Sequence, residues 1–126
     1  MNDIVSNRIN GKESLISRLG YWPEFCDAKI LELNFSSSRV VGASLSILLH
    51  YIDADKNLDA NIRIFLEGIS DVEFNELRME NVVDCIDLAE SNDGVVFSIE
   101  ACAGLSGSCA CETANVQLIS LKAYTD

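Results

Sequence analysis

From Val40 to Ile52 the chain alternates, with Val41, Ala43, Leu45, Ile47, Leu49 and Tyr51 on one side and Gly42, Ser44, Ser46 and His50 among the others. A side-chain period of two over this length describes a strand with one dry face. A helix would repeat its apolar stripe about every 3.6 residues. Such a strand needs neighbours to satisfy its backbone and a second layer to cover its apolar face.

The neighbours are legible on both sides. Ala28 to Phe35 places Leu31, Leu33 and Phe35 against Glu32 and Asn34, and Ser36-Ser37-Ser38 reads as the turn that follows. After a polar loop, Asp53 to Asp59, the residues Ile62, Ile64 and Leu66 alternate with Asn61, Arg63, Phe65 and Glu67. Gly68 marks a bulge or turn. Val72 and Phe74 suggest a short strand, and Val82 to Leu88 another of unclear period. Ser91-Asn92-Asp93-Gly94 is a hairpin signal, after which Val95, Phe97, Ile99 and Ala101 face one way. A turn over Ala103 to Ser108 leads into a last strand, about Cys109 to Tyr124, interrupted near Thr113-Ala114-Asn115.

Before the strands, Leu15, Ile16 and Leu19 form the apolar stripe of a helix over Gly11 to Leu19, capped near Asn10 and ended by Gly20. Met1 to Asn10 has no periodicity and reads as a loose end. The only Trp and the only Pro stand together at Trp22-Pro23, close to Phe25. Pro23 forbids helix continuation, so the stretch marks a helix stop whose aromatic rings plug the seam between helix and sheet. The expected fold is α+β: an N-terminal helix packed on a mainly antiparallel sheet of about six to seven strands. The 126 residues are expected to form a single domain.

Charge narrows the partners. With 20 acidic against 9 basic residues the formal net charge is −11, which disfavours nucleic acid and anionic membranes and suits a basic partner. No basic start followed by an apolar run marks a secretory signal, and the longest apolar stretch, Ile47-Leu48-Leu49, is too short to span a bilayer. The expected location is the cytoplasm. There, five cysteines without regular spacing fit reduced thiols, and Asn34-Phe35-Ser36 matches a glycosylation sequon by chance.

Motifs for chemistry are weak. Asp53, Asp55 and Asn57 copy the start of an EF-hand calcium loop, but the Gly position holds Leu58 and the bidentate Glu position holds Ile64, so a solvated turn is the better reading. Gly104-Leu105-Ser106-Gly107-Ser108 lacks the Walker lysine and joins two strands. Cys102, Cys109 and Cys111 could approach one another as a three-thiolate zinc set. Since the only His is His50 and no spacing matches a zinc knuckle, small buried hydrophobes describe them better. A small-ligand or metal-binding β-rich domain using that patch is the alternative reading. No acid/base pair or nucleophilic motif marks an enzyme, and no cofactor is expected. Asp84, Asp87, Glu90 and Asp93 could form an acidic edge for a partner, with Tyr51, Phe65 or Tyr124 as exposed aromatic anchors. An exposed strand edge could also make a dimer, so monomer and dimer both stay open.

The stretch Gly20-Tyr21-Trp22-Pro23-Glu24-Phe25-Cys26-Asp27-Ala28-Lys29-Ile30 resembles the opening signature of the immunity protein 50 family of bacterial polymorphic toxin systems. Trp22, Pro23, Phe25 and Asp27 carry that signature. The order of Ile62-Arg63-Ile64, Val72-Glu73-Phe74, Asn81-Val82-Val83, Phe97-Ser98-Ile99, the glycine turn at Gly104 to Gly107, and Val116 to Leu121 looks similar too. Cys26 stands where the family usually has His, and Lys29 where it usually has Glu. The resemblance implies a cytosolic antitoxin that binds and neutralises a cognate toxin, without catalysis.

Overall fold

The computed structural model describes residues 8–125. It contains one helix, α1 (Lys12–Leu19), and the strands β1 (Ile9–Asn10), β2 (Lys29–Ser38), β3 (Gly42–Asp53), β4 (Leu58–Glu67), β5 (Asp71–Asn75), β6 (Val82–Ser91), β7 (Gly94–Ala103), β8 (Ser106–Cys111) and β9 (Thr113–Ala123). All join one sheet in the order β1-β9-β4-β3-β2-β6-β7-β8-β5. Every pairing is antiparallel except that of β1 with β9. The expected α+β fold with six to seven strands is therefore corrected to a mostly-β fold, 64% strand and 7% helix among the described residues, on a nine-strand mixed sheet. The helix spans only 8 residues, too little to form a layer. The strand count rises because β1 adds a parallel edge and the last expected strand is two, β8 and β9. The loose end expected over Met1 to Asn10 lies outside the described residues as far as Asn7, and Ile9–Asn10 form β1.

The sheet works as two halves. β1, β9, β4, β3 and β2 make one, β6, β7, β8 and β5 the other, and among the described residues their only ladder contact is Lys29 opposite Val82. A second link is a shared ribbon: β4 runs on into β5 at Gly68, and β8 into β9 at Glu112. The Glu112 N–H bonds the carbonyls of Glu67 (3.0 Å) and Gly68 (3.1 Å). Gly68, at φ 69, lies so close that a Cβ would press on the Glu112 side chain. Leu45, Ile47, Leu49, Ile62, Ile64 and Leu66 from one half and Val83, Ile86, Leu88, Val95, Phe97 and Ile99 from the other are all buried in one cluster. The sheet thus folds over on itself, each half being the layer that covers the other, and each such side chain contributes about 1.5–3 kcal/mol by leaving water.

α1 docks by Leu15 and Leu19, both buried. Its N-cap is Gly11 at φ 88, with no side-chain cap, because a Cβ there would collide with the Val116 carbonyl oxygen of β9. Gly20, at φ 94, closes the helix by donating its N–H to the Ile16 carbonyl (2.6 Å).

Candidate functional site

Between α1 and β2 the chain runs irregularly from Tyr21 to Ala28, and this loop lies along the edge of β6. The Ile86 N–H donates to the Glu24 carbonyl (2.9 Å), the Asp27 N–H to the Val83 carbonyl (2.7 Å), and the Val83 N–H to the Ala28 carbonyl (2.8 Å). A loop thus does the work of a neighbouring strand and satisfies groups that would otherwise be bare. To do so it turns twice through left-handed backbone, at Phe25 (φ 64) and Asp27 (φ 68). Asp tolerates that conformation; a bulky Phe does not, at a cost of about 1–3 kcal/mol. Burial of the ring offsets the cost. Phe25 is fully buried, edge-on to Trp22 (5.5 Å) and Tyr51 (5.8 Å). Pro23 is fully buried beside it, while Trp22 is half-buried with the Lys12 ammonium 4.9 Å from its ring.

The same loop is tied to β3. The Tyr21 hydroxyl lies 2.6 Å from Asp53 Oδ2 and 2.9 Å from the Tyr51 hydroxyl. A carboxylate only accepts, so Tyr21 donates to Asp53 and Tyr51 donates to Tyr21. The Tyr21 bond holds the Asp53 carboxyl below its ordinary value. Burial and the same carboxylate push the Tyr21 phenol up.

Opposite the loop, β6 is irregular. Val82 pairs Ala103, Val83 pairs Ala101 and Cys85 pairs Glu100, so Cys102 and Asp84 are each the extra residue of a bulge. Their side chains meet, with Cys102 Sγ 3.9 Å from Asp84 Oδ1. Electrostatics show how many carboxylates converge here. The thiol of Cys26 is raised by partial desolvation and then by Asp27, Asp84 and Glu24. That of Cys85 is raised by desolvation and then by Glu24, Glu100, Asp87 and Asp84. Cys102 follows, raised by desolvation and then chiefly by Asp84 and Asp27. Glu24, Asp27, Asp84, Asp87 and Glu100 are all exposed, and among the described residues none is in an ion pair.

Asp84 and Asp87 therefore belong to one acidic shoulder with two residues of the loop and one of β7. Glu90 and Asp93 are exposed but lie apart, Glu90 opposite Val95 near the far end of β6 and Asp93 in the turn beyond it. Sequence reasoning missed Glu24 and Glu100, whose approach to β6 depends on long-range pairing. It also missed the anchor below the shoulder. Asn81 is the sole buried polar residue among those described. Its Oδ1 accepts from the N–H groups of Arg78 (3.1 Å) and Leu105 (3.0 Å), its Nδ2 donates to the Arg78 carbonyl (2.8 Å), and its own carbonyl accepts from Ile30 (2.9 Å).

The other expected features separate. Tyr51 is buried, so it is no exposed anchor. Tyr124 is half-buried, and Phe65 is half-buried in an open cleft of about 440 Å³ with Arg63 and Gln117. Cys109 and Cys111 lie in the core, where their mutual hydrogen bond and burial push the Cys109 thiol up, whereas Cys102 is exposed beside Asp84. The three thiols do not form a patch, and among the described residues no group of three His, Cys, Asp or Glu side chains is placed to hold a metal ion. His50 is bonded through Nε2 to Asp59 Oδ1 at 2.8 Å. The loop expected over Asp53 to Asp59 is only the turn 54–57, since Asp53 ends β3 and Leu58 and Asp59 begin β4, and Asp53 Oδ1 accepts from the Lys56 N–H (3.2 Å). Among the described residues no helix is long and apolar enough to cross a membrane.

No curated protein and no solved structure matches the chain. The family profile described as Immunity protein 50 matches residues 11–122, which include the loop, its β6 edge and every residue of the acidic shoulder. The chain belongs to the immunity protein 50 family.

Proposed function

We propose that this immunity protein acts in the cytoplasm as a single domain, neutralising a cognate polymorphic toxin by stoichiometric binding rather than catalysis. The toxin domain is basic, and it meets the acidic shoulder of Glu24, Asp27, Asp84, Asp87 and Glu100. The observation that carries this reading is the set of exposed carboxylates without ion-pair partners, gathered on bulged β6 where the family's signature loop docks. A field of one sign raises the encounter rate with an opposite charge and orients it, while repelling nucleic acid. Glu90 and Asp93 extend the field along β6 and contribute less, since they stand off from the cluster.

The test is co-purification of the tagged protein from its source cell, with the captured partner identified by mass and its toxicity scored with and without this chain. Capture of a basic toxin domain silenced at one-to-one stoichiometry supports the proposal. Recovery of the protein with no such partner, or with an acidic one, contradicts it.

A further inference from the structure

We propose that the edge of β2 beyond Ile30 is a self-association surface, pairing antiparallel with β2 of a second copy. β2 follows β3 along its length but meets β6 only at Lys29, so from Leu31 to Ser38 its other side has no strand partner among the described residues. Other edges are open too, but each is short or carries charge: β1 has 2 residues, β5 has 5, among them Asp71 and Glu73, β6 beyond Ile86 carries Asp87 and Glu90, and β9 beyond Asn115 carries Lys122 with Ile119 as its one exposed large apolar residue. β2 instead exposes Leu31 (51%) and Phe35 (59%), and its hairpin tip exposes Val40 (93%) and Val41.

Charge selects the occupant. Between Leu31 and Val41 the charged residues are Glu32 and Arg39 alone, in a chain of net charge −11. Glu32 is already within 3.6 Å of the Arg63 guanidinium. A basic partner gains little there, whereas two copies of an acidic protein repel each other least across it. The pattern is also self-complementary. Leu33 and Phe35 share the face of Ile47 and Leu45. A two-fold axis at Asn34 sets Leu33 of one copy opposite Phe35 of the other, twice, and pairs Glu32 with Ser36, so from Leu31 to Ser37 no like charges meet. The same register carries the Val40–Val41 tip toward the start of the other copy's β2. There the Glu76–Glu80 loop, held by Lys29–Glu80 at 3.3 Å, exposes Leu77 and Met79. Two apolar groups with no cover in one chain cover each other in the pair.

Sedimentation equilibrium of the purified full chain tests this without any toxin, so it can fail independently of the antitoxin reading. The expected result is a concentration-dependent dimer whose dissociation constant rises about tenfold or more in Phe35→Lys and in Phe35→Pro, since each change acts twice across the axis. Melting temperatures close to wild type confirm that the edge, not the fold, was altered. Under mild oxidation Asn34→Cys gives a cross-linked dimer that the parent chain does not. A monomer at all concentrations overturns the proposal, as does a dimer unaffected by either β2 variant. A monomer whose Phe35→Lys variant loses a captured toxin also overturns it, and assigns the edge to that toxin.

Discussion

The edges of β6 and β2, which meet at Lys29 and Val82, are treated in opposite ways. Along β6 the Tyr21–Ala28 loop occupies the edge, bonding Val83 and Ile86, and the surface around it carries carboxylates. Along β2 beyond Ile30 no described residue occupies the edge, and the surface exposes Leu31 and Phe35 among neutral residues with one acid, Glu32. A covered edge can bear a dense charge because its backbone is already satisfied. A bare edge draws other strands, and charge there would oppose the pairing. The molecule thus separates a charged face, the one proposed for an opposite partner, from a neutral edge, the one proposed for a like one.

That separation depends on the loop staying on β6, and its strongest anchor is Phe25. Phe25→Ala removes a fully buried ring and is expected to cost about 3–5 kcal/mol in urea unfolding, whereas the half-buried Trp22 gives about half that as Ala. Equal costs would break the assignment of Phe25 as the anchor.

Asn81 stands at the fork where the two edges part. Asn81→Ala leaves the Leu105 N–H without its acceptor, and a loss of about 1–3 kcal/mol is expected from the same measurement. A neutral result would mean that water replaces the amide and that the fork is held elsewhere.

Tyr21→Phe sharpens the picture at the loop's start by removing the hydrogen bond to Asp53, with an expected loss of about 1 kcal/mol. The folded carboxyl is depressed below the reference value of 3.8. Its contribution is therefore present in full above that value and lost as pH falls through the lower, folded one. The gap between wild type and Tyr21→Phe should narrow in acid titrations of stability below pH 3.8 and stay constant above it. The smallest effect belongs to the shoulder itself. Asp84→Asn should lower the raised Cys102 thiol and speed its alkylation severalfold at fixed pH. An unchanged rate would deny that Asp84 sets the local field.

Much of the sheet was legible because period two survives wherever strands pair regularly, as in β3 and β4. It failed where bulges shift parity. In β6 the buried residues are Val83, Ile86 and Leu88, and the extra residue Asp84 breaks the alternation that left this strand's period unclear. In β2 the Leu31, Leu33, Phe35 alternation reads as one face, yet a register shift between Ile30 and Glu32 leaves Leu31 as the extra residue and Ile30 opposite buried Leu49. The break between β8 and β9 shows in the same way. Cys109 and Cys111 are buried at odd positions, Ala114 and Val116 at even ones, with Glu112 absorbing the step. β1, at 2 residues, has no period to read. Of the shoulder, Asp84 and Asp87 could be singled out because they share one strand. Glu24 and Glu100 reach it only through the loop's hydrogen bonds and the β6–β7 register, which no local pattern encodes.

The most direct measurement is the association rate of the captured toxin with wild type and with the Asp84→Asn, Asp87→Asn double variant, taken across ionic strength. The account predicts a fast wild-type rate that falls steeply with salt, and a double variant about tenfold slower at low salt with a flatter dependence. Identical rates and slopes for the two proteins would contradict it, and would remove the acidic shoulder from the binding surface.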